Sequence, residues 1–346
     1  MKIIFSSARI KSPSRVFYST NLQSINGIKP SILLEDNPDP LLVDYSKYDV
    51  VLFMGYDPQA LLAKQRNPGV LVGVIEPRAT QRNTFDGVDF IIVNSLEAKD
   101  YFSQFNRNIF MYYAYPQVPP AQSCPTQKEK LVIGYHGNKI HLDETFPRIT
   151  DAIELLNKEM PVEFWAMYNI KQLGKWEAPE RKHLKFNVLH IQYEEENYAR
   201  YMAHVDIGIV PQLIPVSENK ILRYLIGSKD RRYQENETNY FLRFKDTTNI
   251  GRHLVFAQYG IPVVSDMTPS SCSFIADGVD GMIAYSTSGW HNALTKLAHD
   301  AVLRKEMGKN FFQKYLSVAA IDLMNKNLLC FLEKMMKDRS PLSDIA

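Results

Sequence analysis

Three polar side chains in one short stretch, Lys245, Asn249 and Arg252, stand just ahead of an apolar segment that runs into Gly260-Ile261-Pro262-Val263-Val264-Ser265-Asp266. A basic loop that opens a helix, followed by a buried strand, suits an anion. The first backbone N–H groups of a helix have no intrahelical partner, and the helix dipole favours negative charge there. A diphosphate is the ligand expected in this loop.

Two further turns carry groups that could face a ligand. Val132-Ile133-Gly134-Tyr135-His136-Gly137-Asn138-Lys139 reads as a strand ending in a glycine turn, where backbone can approach a bound molecule closely. It is not GxGxxG, so a dinucleotide is not indicated, and His136 also fits a locally satisfied turn residue. His190-Ile191-Gln192-Tyr193 leads from a strand into the acidic run Glu194-Glu195-Glu196, whose charges suit a helix N-terminus. Gln192 and Tyr193, in the turn itself, are placed to meet a nucleotide base. Nearer the start, Val72-Gly73-Val74-Ile75-Glu76-Pro77-Arg78 ends a strand on two charges. Glu76 is read there as a general base or hydroxyl ligand with Arg78 nearby, or as half of a surface ion pair.

These turns need strands to hold them. Lys2 to Phe5, Ser31 to Leu34, Asp49 to Met54, Val70 to Ile75, Asp89 to Val93 and Ile109 to Tyr113 are apolar runs without strict alternation, as in parallel strands covered on both faces. Helical stretches such as Ser14 to Ile25 and Pro58 to Gln65 lie between them, which predicts a doubly wound α/β sheet. Tyr115 to Lys130 holds Pro116, Pro119, Pro120 and Pro125 and reads as a linker. The rhythm then restarts, with strands over Leu131 to Tyr135, Val162 to Met167, Leu184 to Ile191, Asp206 to Pro211, Ile261 to Ser265 and Gly281 to Tyr285. Helices are predicted over Glu144 to Glu159, Glu194 to His204, Ile250 to Gln258, Ser288 to His299 and Ala301 to Tyr315, with a long last helix from Val318 to Lys337. The interval 214–245 is long and charged, and reads as a functional loop or a surface insertion.

The 346 residues suit two domains, because single cores seldom grow much beyond about 250 to 300 residues. The boundaries expected are 1–118 for an acceptor-binding domain, 119–130 for the linker, 131–317 for a donor-binding domain and 318–346 for a terminal helix and tail. Lys plus Arg number 40 against 38 Asp plus Glu, a balance that argues against nucleic acid as a partner. Cys124, Cys272 and Cys330 are far apart and form no CxxC pair, so neither disulfides nor zinc is indicated. No run of about 18 apolar residues is present and no signal-peptide pattern follows Met1, so a cytoplasmic location is expected, with peripheral membrane association open.

With these motifs assembled, the chain resembles the two-Rossmann-domain (GT-B) glycosyltransferases, particularly the bacterial glycogen-synthase-like family four. Isoleucine-to-histidine IGYHGNKIH, then VDIGIVP, GIPVVSD, FIADGVDGMIAY and WHNALTKLAHDAVLRKEMG carry the likeness, with VDFIIVNSLEAKDY the best match in the first domain. The resemblance implies two Rossmann-like domains facing a cleft, with the last helix returning to the first domain. It implies a sugar moved from a nucleotide-diphosphate donor to a glycan or lipid-linked acceptor, as in bacterial surface polysaccharide synthesis. His136, Gly137, Asn138, Lys139, Gln192, Tyr193, Thr248 and Asn249 would then bind the donor, with Arg78 in the acceptor cleft. Catalytic roles fall to Glu76, Arg252 and Lys245, and neither a metal nor a cofactor is expected. Thr248 and Val255 lie in the stretch where the family usually carries a pair of glutamates, so the donor's identity is not implied. A scaffold of the same fold that has lost its chemistry, and a nucleotide-sugar epimerase, remain as alternative readings.

Overall fold

The computed structural model describes residues 1–8, 12–118, 130–146, 148–178, 184–215, 242–244 and 248–339. Lys245, Cys124, most of the expected linker and most of the 214–245 interval lie outside the described residues. The chain divides into two compact units. Unit 1 comprises Met1–Gln117, Asn249–Gly251 and Tyr315–Ala346, and unit 2 comprises Val118–Thr248 and Arg252–Lys314.

Unit 1 is built on six strands: β1 (Lys2–Ser6), β2 (Leu33–Asn37), β3 (Val50–Met54), β4 (Leu71–Ile75), β5 (Phe90–Val93) and β6 (Ile109–Met111). They pair in the order β2-β1-β3-β4-β5-β6, all parallel. Successive side chains leave a strand on opposite faces. Ile3 and Phe5 therefore enter one core with Val50 and Leu52, while Ile4, Val51 and Phe53 enter the other. Both faces are apolar, which is why these strands read as unbroken apolar runs. One core is completed by Met324, Leu328, Leu329 and Leu332 of the terminal helix Ile321–Arg339. Asn325 is buried in that helix and pins it: its Oδ1 accepts from Tyr112 Oη at 2.8 Å, and its Nδ2 donates to the Asn21 carbonyl at 2.7 Å.

Unit 2 repeats the plan with β7 (Leu131–His136), β8 (Val162–Tyr168), β9 (Asn187–Gln192), β10 (Ile207–Val210), β13 (Val263–Asp266) and β14 (Met282–Ala284), ordered β14-β13-β10-β7-β8-β9. Its neighbouring strands are likewise parallel. A short antiparallel pair, β11 (Ile214–Pro215) with β12 (Leu242–Arg243), ties the two ends of the long charged interval.

Several boundaries differ from the sequence reading. β2 starts at Leu33, two residues later than expected, where both sides of the Asn26 amide bind the Leu34 backbone. The helix expected from Glu144 begins at Arg148. The last helix begins at Ile321, after a π-turn over Tyr315–Ala319.

Arg148, at the start of this helix, reaches outside it. Its guanidinium, 1% exposed, grips Asp266, 0% exposed, through Nη1–Oδ1 at 2.5 Å and Nη2–Oδ2 at 2.9 Å. Asp266 ends β13, and its carboxylate also accepts from Trp290 Nε1 at 3.1 Å and from the backbone N–H groups of Gln212 and Leu213 at 2.7 and 2.9 Å. Removing one partner strands a buried charge, so Arg148→Met is expected to cost about 3–5 kcal/mol. Trp165, Trp176 and Trp290 all lie in unit 2, so tryptophan fluorescence during guanidinium unfolding reads this unit alone. An unchanged midpoint would show that the pair is not what holds it.

Candidate active site

At the carboxyl end of β7 the chain turns at Gly137, whose φ is 141°. A Cβ there would lie 2.9 Å from Tyr135 Oη and 3.1 Å from Arg252 Cδ, so both conformation and space call for glycine. Tyr135 Oη donates to the Asn138 carbonyl at 2.8 Å, and Asn138 Oδ1 accepts from the Ile140 N–H at 3.1 Å. The Gly137 N–H also takes part, donating to the Met167 carbonyl of β8 at 3.2 Å.

Arg252, in the first turn of the helix Gly251–Gln258, comes to this turn from the other side. Its backbone carbonyl accepts a hydrogen bond from His136 Nε2 at 3.1 Å. A carbonyl only accepts, so Nε2 carries the imidazole proton. His136 packs edge-on against Phe256 and Tyr198, and burial, opposed by this hydrogen bond and reinforced by the Arg252 charge, takes its pKa down to about 3. It is a neutral imidazole. The Arg252 guanidinium donates through Nη2 to the Pro211 carbonyl at 2.7 Å, just beyond β10, and lies 6.0 Å from the Tyr135 ring centroid. Its Nη1 is buried and has no geometric hydrogen-bond partner among the described residues, although the guanidinium acts on the Tyr135 hydroxyl. A guanidinium so arranged leaves one donor for an anion at the glycine turn.

The other expected donor contacts are placed differently. Lys139 Nζ donates to the Leu173 carbonyl at 3.1 Å. The Gln192 amide is engaged on both sides, accepting from the Lys171 N–H at 2.8 Å and donating to the Tyr193 carbonyl at 2.8 Å. Tyr193 keeps 41% of its surface exposed beside Tyr198, with ring centroids 5.3 Å apart. Thr248 is buried, and Asn249 Oδ1 accepts from the Gly251 N–H at 3.0 Å, capping the helix that Arg252 enters. The structure thus brings His136, Gly137 and Arg252 together, while Lys139 and Gln192 serve neighbouring turns. Tyr135 and Pro211 complete the group, and neither was singled out from the sequence.

In unit 1, Glu76 follows β4 with φ at 50°, the left-handed region that a non-glycine residue rarely adopts. The backbone there is pressed by its neighbours: a Cβ on Gly55, after β3, would lie 2.3 Å from the Glu76 carbonyl oxygen and 2.4 Å from Pro77 Cα. Burial raises the Glu76 carboxyl pKa, against hydrogen bonds from Ser14, Tyr18 and Asn94 and the charge of Arg78. Glu76 is therefore recessed among neutral donors, which does not suit the surface ion-pair alternative. Arg78 is exposed.

No family model matches the sequence, and no characterised protein matches it at the sequence level. Solved structures match nearly its whole length. Sucrose-phosphate synthase from Thermosynechococcus elongatus superposes with a TM-score of 0.66 at 8% identity, covering 98% of this chain and 100% of that one. HepE of Anabaena, solved with UDP and glucose, gives 0.64 at 12% identity, covering 96% and 100%. A glycosyltransferase from Rickettsia africae gives 0.65 at 10% identity, covering 97% and 99%. The chain has the GT-B fold, two α/β units each on a six-stranded parallel sheet.

The neutral His136 sets a pH dependence. Its folded pKa lies below the unfolded value, so the stability it contributes is complete above about pH 6.5 and is lost as pH falls toward about 3. The slope over that window is about 1.4 kcal/mol per pH unit. His136→Gln is expected to flatten the fall in unit 2 stability between pH 6.5 and 4.5, measured by tryptophan fluorescence. A curve parallel to the wild type would contradict it.

Proposed function

We propose that this chain is a glycosyltransferase that moves a sugar from a nucleotide-diphosphate donor to a hydroxyl of a glycan or lipid-linked acceptor. The observation that carries the reading is the buried Arg252 Nη1, which has no hydrogen-bond partner among the described residues, beside the Gly137 turn. Fixed positive charge stabilises the charge that builds on a leaving diphosphate. The fold supports the reading, because the structures it resembles include HepE, which has been solved with UDP-glucose.

In the proposed reaction the acceptor oxygen bonds to the anomeric carbon of the sugar. The bond from that carbon to the diphosphate oxygen breaks, and its electron pair leaves with the diphosphate. The hydroxyl proton passes to the Glu76 carboxylate, whose raised proton affinity suits a base. Arg252 is the cation we assign to the leaving group, with Lys245 as a second on the sequence reading, and no metal is called upon. Tyr193 offers an exposed ring for the base, and Arg78 a cation for the acceptor. A cytoplasmic role in surface polysaccharide synthesis is the setting we favour.

A second reading, a binding scaffold without chemistry, is favoured by Thr248 and Val255, both buried in the stretch where the related family usually has a pair of carboxylates. A thermal-shift screen over uridine, guanosine, adenosine and thymidine diphosphates separates donor binding from none, since a ligand held at 100 times its Kd raises stability by about 2.7 kcal/mol. Wild type is expected to be stabilised by one of them, and Arg252→Ala to lose most of that shift with its own melting point little changed. Release of UDP from UDP-glucose, insensitive to EDTA, would then separate enzyme from scaffold. Stabilisation of Arg252→Ala equal to that of wild type would sink the assignment.

A further inference from the structure

The surroundings of Glu76 are more elaborate than a lone carboxylate at a strand end requires. Its left-handed backbone costs on the order of 1–3 kcal/mol, a strain that persists only where neighbours over-determine it. Here they do. The Glu76 N–H is bonded to the Ile92 carbonyl of β5 at 2.9 Å, Pro77 follows directly, and only a glycine at position 55 leaves room for the Glu76 carbonyl.

The side chain is equally constrained. Asn94, 7% exposed, donates from Nδ2 to Glu76 Oε1. Asn94 follows β5 and precedes Ser95, whose hydroxyl accepts from the Ala98 N–H at 3.1 Å and caps the helix Leu96–Phe102. The amide is therefore mounted between a buried strand and a capped helix, with little freedom to move. Ser14 and the buried Tyr18, from the helix Pro13–Gln23, complete the ring of donors around the carboxylate.

We propose that Asn94 is a positioning residue for Glu76, fixing one carboxylate oxygen so that the group is presented to an acceptor hydroxyl in a single orientation. This rests on the reading of Glu76 as the proton acceptor. The donors around it are neutral, and the charged group that bears on it is Arg78. A hydrogen bond to an ionised carboxylate favours the charged form, so losing the Asn94 donor raises the proton affinity of Glu76. An aspartate at the same place raises it further, because two carboxylates in contact cannot both ionise easily.

The test uses the full-length protein labelled with 13C at the glutamate carboxyl carbon, with Glu76→Gln identifying the Glu76 resonance by its loss. The titration is expected to move up by roughly 0.5–1 pH unit in Asn94→Ala and further in the isosteric Asn94→Asp, which guards against loss of fold in the alanine variant. UDP release from UDP-glucose is expected to fall about tenfold in Asn94→Ala, on the order of one hydrogen bond to a charged group, with the KM for UDP-glucose unchanged. A Glu76 titration at the wild-type position in both variants overturns the positioning role, and so does a moved titration with an unchanged rate. Wild-type UDP release by Glu76→Gln overturns instead the reading of Glu76 as proton acceptor, whatever the titration shows. The titration needs no substrate, so the two failures are distinct.

Discussion

Placing an aspartate at the buried end of a central parallel strand obliges the rest of unit 2 to answer its charge. Asp266 draws in Arg148 as a bidentate partner, the Trp290 indole, and two backbone N–H groups just beyond β10. Those groups come from three separate stretches of chain, so one carboxylate fixes the ends of β10 and β13 against two helices. Pro211, whose carbonyl receives Arg252, directly precedes this braced segment. The position of the candidate anion donor therefore depends on a charge pair that itself never meets the ligand.

The two units solve the same problem differently. Parallel sheets gather their chemistry at the carboxyl ends of the strands, where chain direction leaves backbone and polar groups facing outward. In unit 2 the carboxylate at that edge is neutralised by an arginine and becomes part of the frame. Glu76 in unit 1 receives neutral donors instead, and burial keeps its proton affinity high. The difference in partners separates a brace from a group able to exchange a proton.

Much of the fold was legible because both faces of each sheet are buried, which leaves runs such as VVLFM and LVGVI with no polar interruption. Boundaries were less so. The Asn26 amide meets the Leu34 backbone at the start of β2, and Arg148 at the start of one helix reaches Asp266, 118 residues away, contacts that no hydrophobic pattern shows. At the site, Gly137 and Arg252 could be found from residue type and context, since a glycine after a strand and an arginine at a helix start carry their own physical reasons. The Gln192 amide could not be seen to be spent on Lys171 and Tyr193, because that depends on how the ends of β8 and β9 are closed. Asn94 was invisible for the same reason: only the pairing of β4 with β5 carries it to Glu76.

A neutral imidazole at position 136 also determines what kind of pH response the glycine turn has. Between about pH 5 and 8 that ring neither gains nor loses a proton, so it adds no variable charge to the turn. A change in anion affinity over that range can still come from the anion. A terminal phosphate, which takes on its second charge near pH 6, would be held more firmly as the solution becomes alkaline. A diphosphate capped by a sugar has no such ionisation and would be held evenly. Under the proposed transfer, the spent product and the intact donor would therefore compete on terms set by acidity, with product release easiest on the acid side.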